Sequence, residues 1–263
     1  MKTPTDTETK RQVNRQELEQ KVKHMYREVA LHPEVKYHFE MGRDLAERLR
    51  YPALMLDKIP SASIDSFAGV GYFFDLADLK KGEKLIDLGS GSGMDVFFAA
   101  LQVGDSGEVT GIDMTDEQLA KANGLKEKFN FKQADFRKSY IEDLPVESGS
   151  ADVVISNGVI NLSGQKEKVF REAARVLKKG GRLALSDIVT SVMLPENISC
   201  NATLWAACIG GAMQRDEYLA LIENAGMRVE QVKTNPYEFL SNSAKGATKD
   251  FGIESISLLA VKQ

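Results

Sequence analysis

The chain has 263 residues, of which 43% are hydrophobic and 27% charged, a composition typical of a globular protein with a core of ordinary size. Its 34 Lys and Arg residues against 38 Asp and Glu residues give a formal net charge of −4, which argues against nucleic acid as a partner. The sequence shows no apolar run long enough to cross a bilayer, and residues 1–20 lack the apolar core of a secretory signal, so we expect a cytoplasmic protein with no membrane partner.

The first third of the chain is predicted to be helical. Residues 1–14 are polar and charged, which predicts a disordered tail. From Glu17 to Ala30 apolar residues recur at steps of three and four, which predicts an amphipathic helix, and a second helix is expected from Gly42 to Arg50. Because this region shows no strand alternation, residues 15–80 are predicted to form a helical cap on a main domain of residues 81–263.

Strands and helices alternate along the main domain. Strands are predicted at Lys84–Leu88, Glu108–Asp113, Ala134–Tyr140, Ala151–Ser156, Arg182–Val189, Met227–Lys233 and Ile253–Val261. Helices are predicted at Asp95–Val103, Thr115–Phe129, Gln165–Leu177 and Asp216–Ala225, the third ending in the cations and glycines of Lys178–Gly181. This order predicts an α/β, Rossmann-like fold with a seven-stranded, mostly parallel sheet.

The first predicted strand runs into a glycine-rich turn, Asp87-Leu-Gly89-Ser-Gly91-Ser-Gly93. Glycines allow a tight turn and let a ligand approach the main chain, and the following helix directs its free N–H groups at that ligand. The spacing is G-x-G-x-G, and Met94 stands where the dinucleotide fingerprint has its third glycine. An ordinary strand-to-helix turn and a nucleotide-dependent oxidoreductase remain the alternatives.

Two carboxylates flank this turn. Asp87 precedes it, where a carboxylate can face a cation, and Asp113 ends the second strand, where it can accept hydrogen bonds from both hydroxyls of a ribose. A nucleoside with a cationic amino-acid tail fits this arrangement better than a dinucleotide does. The pattern therefore predicts S-adenosylmethionine as the cofactor.

Residues 83–190 resemble the class I S-adenosylmethionine-dependent methyltransferases, with Leu85–Gly93 as their first motif. The resemblance implies that Asp113 binds the ribose and that Met114 contacts the adenine face. It also implies that the methionine end is held by Asp87 together with the turn residues Gly89, Ser90, Gly91 and Gly93.

The resemblance places two further contacts. An acidic or polar residue after the third strand contacts the adenine edge in the family, which we assign to Ile141 and Glu142, with Asp135 as the competing placement. Asn157 follows the fourth strand, where the family lines the methyl-transfer site, so it is predicted to be a catalytic and cofactor-contacting residue.

A narrower resemblance is to the arsenite methyltransferases and their relatives. It covers roughly residues 64–227 and is carried by Asp113-Met-Thr115, Ile141-Glu-Asp-Leu-Pro145, Val153-Val-Ile-Ser-Asn-Gly-Val-Ile-Asn-Leu162 and Cys208-Ile-Gly-Gly-Ala212. The family has cysteines at two positions where this chain has Val70 and Gly158. Of the family's cysteines only Cys208 remains, and we predict it to be a catalytic residue, against the alternative of a small buried apolar side chain.

Trivalent arsenic is a soft centre that thiolates hold, and one cysteine cannot make a three-coordinate site. The other cysteine of the chain, Cys200, matches no family position. The sequence therefore predicts a methyltransferase for a different small-molecule acceptor, with Gly158 leaving space for a bulkier, carbon-based one. Arsenite methylation with exogenous thiols and a non-catalytic, cofactor-binding relative are the alternatives. No metal site is predicted, and the sequence leaves the oligomeric state open.

Overall fold

The structure is a computed structural model that describes residues 15–37, 39–195, 210–238 and 242–263. The predicted tail of residues 1–14 and both cysteines, Cys200 and Cys208, lie outside the described residues. Within these ranges none of the helices is both long and apolar enough to cross a membrane.

The N-terminal region begins with helix α1 (Arg15–Leu31), which buries one apolar stripe that includes Leu18, Val22 and Val29. The predicted second helix is α2 (Gly42–Arg48). Three short helices follow that the sequence pattern did not predict: α3 (Ala53–Leu56), α4 (Ser61–Asp65) and α5 (Phe74–Ala77). Each is about one turn long, too short for a hydrophobic period to be visible.

Strands and helices then alternate as predicted. The strands are β1 (Lys84–Leu88), β2 (Glu108–Asp113), β3 (Ala134–Lys138), β4 (Ala151–Asn157), β5 (Leu177–Thr190), β6 (Met213–Gln214), β7 (Met227–Thr234) and β8 (Glu254–Lys262). The helices are α6 (Met94–Val103), α7 (Asp116–Phe129), α8 (Lys166–Val176), α9 (Arg215–Asn224) and α10 (Asn242–Phe251), with a 3-10 turn at Ile160–Leu162.

The sheet has the order β3-β2-β1-β4-β5-β8-β7, and the two-residue β6 pairs with β5. All pairings are parallel except those of β8, which is antiparallel to both β5 and β7. This confirms the predicted mostly parallel sheet. The chain reverses its direction of winding between β1 and β4, and such a switch point opens a crevice at the carboxyl ends of the two strands.

Apolar side chains cover both faces of the sheet. One core cluster joins the sheet to α6 and α7 and takes in residues of the N-terminal region such as Leu45, Tyr51 and Phe74. The other lies between the sheet and α8 and α9, around Phe170 and Tyr218. The N-terminal region is thus packed into the first core, and its boundary at residue 80 remains a prediction.

The predicted ends of most elements differ from the observed ones by one or two residues. The helix C-cap predicted at Lys178–Gly181 is wrong, because these residues belong to β5: helix α8 ends at Val176, and the buried Leu177 pairs with Ala151 of β4. Strand β3 ends at Lys138, two residues before the predicted Tyr140. Helix α10 was also missed, because Phe251 is the one large apolar residue in its sequence, Asn-Ser-Ala-Lys-Gly-Ala-Thr-Lys-Asp-Phe.

Candidate active site

A cavity of about 560 Å³ opens at the carboxyl ends of β1, β2 and β4. Nine of the ten residues that the sequence predicts to contact the cofactor line it: Asp87, Gly89, Ser90, Gly91, Asp113, Met114, Ile141, Glu142 and Asn157. Gly93 does not. A Cβ at Gly93 would lie 2.7 Å from the ring of Phe136, so this glycine lets α6 pack closely on β3.

The glycine turn after β1 forms one wall of the cavity. Gly89 and Gly91 both have positive φ angles, of +74° and +52°, in the region that glycine adopts without strain. A Cβ at Gly89 would lie 2.4 Å from the side chain of Val159, whereas the nearest atom to a Cβ at Gly91 is 3.7 Å away, on Gln118. Backbone conformation therefore favours glycine at both positions, and packing against Val159 requires it at Gly89 as well. With no side chain at either position, the main chain of the turn is exposed to a ligand.

Asp113 holds the turn from the end of β2. One carboxylate oxygen accepts the N–H of Gly91 at 2.9 Å, and the other accepts the N–H of Thr115 at 2.8 Å. Burial raises the pKa of Asp113, and these backbone hydrogen bonds oppose the shift. Asp113 lines the cavity, so its carboxylate is placed where the predicted pair of ribose hydroxyls would need an acceptor.

Two more carboxylates line the same cavity, Asp87 on β1 and Asp95 in the first turn of α6. They are only 3% and 5% exposed. Burial raises the pKa of Asp95 to about 6, and burial together with repulsion from Asp95 and Asp113 raises the pKa of Asp87 well above its usual value. No salt bridge among the described residues includes any of the three. The cavity therefore brings together three acidic groups without an ion-pair partner among the described residues, which suits a cationic ligand.

Asn157, at the end of β4, lines the cavity as predicted, but its amide group is used to hold other parts of the chain. The oxygen accepts the N–H groups of Val70 and Gly71, at 2.8 and 3.3 Å. The nitrogen donates to the hydroxyl of Tyr51 at 3.0 Å and to Asp95 at 3.1 Å. These contacts indicate that Asn157 positions the turn at residues 69–71.

Sequence reasoning missed Tyr51 and Asp95. The Tyr51 hydroxyl donates to Asp95 at 2.7 Å, which closes a triangle of hydrogen bonds with Asn157. The Tyr51 ring is buried among the aromatic rings of Phe67, Tyr72, Phe74 and Phe98. An acidic residue two positions after the glycine motif was the available signal for Asp95, whereas nothing local marks Tyr51.

The loop after β3 forms the opposite end of the cavity. Ile141 and Glu142 line it, while Asp135 is half-exposed on β3, forms an ion pair with Arg137 and does not contribute to the lining. The Ser163 hydroxyl donates to Glu142 and fixes the carboxylate at the rim. The geometry thus favours Ile141 and Glu142 for the adenine edge over the competing placement.

Helix α1 closes one side of the cavity with Leu18, Glu19, Val22 and Tyr26. It is tied to the loop after β3, because the Tyr140 hydroxyl donates to Glu19 at 2.6 Å and accepts the ammonium of Lys23 at 2.7 Å. The side chains of Leu18 and Val22 are both buried. An N-terminal helix therefore separates much of the cavity from solvent.

The positions of the two missing family cysteines are adjacent. A Cβ at Gly158 would lie 3.1 Å from a methyl group of Val70. Gly158 lines the cavity with a φ of +70°, whereas Val70 is buried in a small apolar cluster with Ile188, Leu194 and other residues. The expectation that Gly158 leaves open space is therefore wrong, because the valine fills it.

The residues that line the cavity fit S-adenosylmethionine. Asp87 is almost fully buried, lines the cavity and has no hydrogen bond to any described residue, so its carboxylate is available to a cationic ligand. The turn at Gly89–Gly91 offers uncovered backbone, and Asp113 offers acceptors for a ribose. In the described ranges no three His, Cys, Asp or Glu side chains are grouped so that they could hold a metal ion.

Comparison with known proteins identifies the class. Residues 79–226 match the methyltransferase-domain family, which is more than half of the chain. The chain therefore belongs to this family and has the fold of the class I S-adenosylmethionine-dependent methyltransferases, as the sequence predicts.

Several relatives are more specific. The chain is 37% identical over 201 residues to the arsenite methyltransferase of Halobacterium salinarum, covering 75% of this chain and 51% of that protein. It is 43% identical over 151 residues to the human arsenite methyltransferase, covering 54% of this chain and 40% of that protein. The solved arsenic(III) S-adenosylmethionine methyltransferase of Chlamydomonas reinhardtii matches with a TM-score of 0.62 and 28% identity, over 84% of this chain and 74% of that one.

These matches show that the chain is similar to the arsenite methyltransferases. The chain spans about half the length of the curated relatives it matches.

Proposed function

We propose that this protein transfers the methyl group of S-adenosylmethionine to a small-molecule acceptor other than trivalent inorganic arsenic. The observation that carries the proposal is the contact between Val70 and Gly158. In the related family both positions carry thiols, whereas here one is a buried methyl-bearing side chain and the other has no side chain. The chain contains only two cysteines, and the one besides Cys208, Cys200, matches no position of the family's cysteines.

The chain's own residues would hold the cofactor in the following way. Asp113 accepts the ribose hydroxyls, while Asp87 faces the cationic end and the backbone at Gly91 lies along the methionine portion. Ile141 and Glu142 border the adenine. Bound S-adenosylmethionine supplies a methyl group that its positively charged sulfur has already activated.

The remaining task of the protein is to align an acceptor and exclude water. Helix α1 covers the cavity with Leu18 and Val22, and the Asn157 amide fixes the turn at residues 69–71 beside it. A general base is needed only for an acceptor that keeps its proton at the working pH, such as a hydroxyl.

Arsenite methylation would require ligands that the chain does not provide. A single thiolate from Cys208 gives neither the affinity nor the fixed lone-pair direction that in-line attack demands. Exogenous thiols such as glutathione would have to supply the other sulfur ligands. The proposal keeps the cytoplasm as the compartment, because two cysteines make no disulfide framework.

The test is a methyl-transfer assay with the purified full chain and S-adenosylmethionine labelled in the methyl group. One arm contains arsenite and glutathione, and the others contain panels of hydroxyl, amine, thiol and carbon acceptors. We expect no methylated arsenic and transfer to at least one organic acceptor.

Methylated arsenic that disappears in Cys208→Ser would overturn the proposed acceptor class. Binding of S-adenosylhomocysteine with no transfer in any arm would instead favour a non-catalytic relative. Binding of NADH without binding of S-adenosylhomocysteine would contradict the assignment of the cofactor.

A further inference from the structure

We propose that Asp95 is a specificity-determining residue of the cofactor site, whose carboxylate favours the cationic methyl donor over the neutral product S-adenosylhomocysteine. The inference rests on S-adenosylmethionine as the cofactor and does not depend on the identity of the acceptor.

The carboxylate of Asp95 is held by hydrogen bonds from two parts of the chain. Tyr51 donates to one oxygen of Asp95 at 2.7 Å, and Asn157 donates to the other at 3.1 Å. The donors come from the N-terminal region and from the end of β4, so the carboxylate is fixed from two sides. Two hydrogen bonds leave lone pairs on both oxygens, and Asp95 lines the cavity.

In the described part of the chain, the titratable groups around Asp95 provide no positive charge. The titratable groups that interact with Asp95 are Tyr51 and Tyr72 from the N-terminal region and Asp87 from β1, and Asp87 is repelled in turn by Asp113 of β2. All of them are acids. The one lysine that lines the cavity, among the described residues, is the exposed Lys168 on α8. A buried carboxylate in such surroundings gains most from a cation supplied by the ligand.

The charge of the ligand changes when the methyl group is transferred. S-adenosylmethionine carries a sulfonium, an ammonium and a carboxylate, for a net charge of about +1, and loss of the methyl group leaves a neutral thioether with a net charge of about 0 at neutral pH. The negative charge of Asp95 therefore stabilises the substrate complex more than the product complex. A site with this preference would release the product more readily after each transfer.

The test is calorimetric titration of the full chain with S-adenosylmethionine and, separately, with S-adenosylhomocysteine. In Asp95→Asn we expect the ratio of the two affinities to shift towards the product by about tenfold or more, since at an effective dielectric of about 20 a charge within about 12 Å of the sulfonium contributes at least that factor. Tyr51→Phe keeps the charge and should keep the preference. Asp78→Asn is the matched control, since Asp78 is exposed, does not line the cavity and has a left-handed backbone that Asn tolerates.

An unchanged ratio in folded Asp95→Asn overturns the inference. If that variant does not fold, the wild-type chain decides the question. Because the pKa of Asp95 is raised to about 6, the preference for the methyl donor should fall between pH 7.5 and 5.5, and a constant ratio would overturn the inference as well. Failure of both ligands to bind the wild-type chain would instead refute the cofactor assignment itself.

Discussion

A methyl group of Val70 lies 3.1 Å from the point at which a Cβ on Gly158 would stand, although the two residues are far apart in sequence. The backbone around both positions is firmly held. Asn157 accepts the N–H of Val70 at 2.8 Å, and the Ser255 hydroxyl donates to the carbonyl of Val70 at 2.6 Å. The scaffold that would position two adjacent thiols is thus present, and the thiols are not.

Restoring both thiols should create affinity for trivalent arsenic. We expect Val70→Cys/Gly158→Cys to bind arsenite about tenfold or more tightly than the wild-type chain, because two thiolates would then accompany that of Cys208. Equilibrium dialysis under reducing conditions measures this. The positive φ of Gly158 should cost about 1 kcal/mol of folding stability.

Val70→Cys/Gly158→Ala is the matched control, since it carries the same backbone strain with one thiol fewer. Adding Cys208→Ser to the double-cysteine variant should remove most of the gain. Equal arsenite binding by the control and the double-cysteine variant would show that the two positions are not directed at a common centre.

Asp113 should contribute strongly to cofactor affinity. Replacing it by Ala removes acceptors for two ribose hydroxyls and also releases the N–H of Gly91, a loss of roughly 1–3 kcal/mol, which corresponds to about tenfold weaker binding or more. Titration calorimetry with S-adenosylhomocysteine measures the effect. Asp113→Asn, which keeps one acceptor oxygen, should lose less. Unchanged affinity in the Ala variant would place the ribose elsewhere.

The two glycines of the turn should respond differently to the same substitution. Gly91→Ala should cost about 1 kcal/mol of stability from its positive φ, yet largely abolish binding of S-adenosylhomocysteine, because its Cβ stands at the cavity wall. In Gly89→Ala the new Cβ must displace the side chain of Val159, and this overpacking should cost about 1–3 kcal/mol of folding stability. Thermal unfolding and calorimetry on both variants separate the two effects. A larger loss of stability in the Gly91 variant would contradict this division of roles.

Local patterns were sufficient to predict the sheet and the glycine turn. Strands β1, β2 and β4 are short segments, and the residues of the turn are adjacent in sequence. A few neighbouring residues therefore suffice to predict each of them. Their meeting at one sheet edge follows from parallel pairing.

The contacts that complete the site could not be predicted in the same way. The hydrogen bonds of Asp95 reach Tyr51 and Asn157, which are 44 and 62 residues away in sequence. Likewise, the sequence shows Gly158 as a missing side chain, and only the fold shows that Val70 fills the space. Both the hydrogen bonds of Asp95 and the contact between Val70 and Gly158 join residues that are far apart in sequence, so they are visible only in the folded structure.

Stability of the cofactor-free protein should rise as the pH falls from 7.5 to 5.5. Four buried or partly buried carboxyls have raised pKa values, chiefly through burial: Asp87, Asp95, Asp113 and Asp187. For Asp95 and Asp187 the folded-state pKa is about 6, whereas the unfolded value is about 3.9. Between these values the folded chain binds more protons than the unfolded chain, so protonation stabilises the fold.

Carboxyls with a lowered pKa, such as Asp152 and Glu172, oppose this trend only below about pH 4, where they would become protonated in the unfolded chain. The gain between pH 7.5 and 5.5 should be on the order of 1–2 kcal/mol, measured by urea denaturation followed by circular dichroism. Asp187→Asn should reduce the slope, because it removes one of the titrating groups. A saturating concentration of S-adenosylmethionine should also flatten it, since the cation favours the ionised carboxylates. A fall in stability over this pH range, in the absence of ligand, would mean that these carboxyls are already paired with a cation in the folded protein.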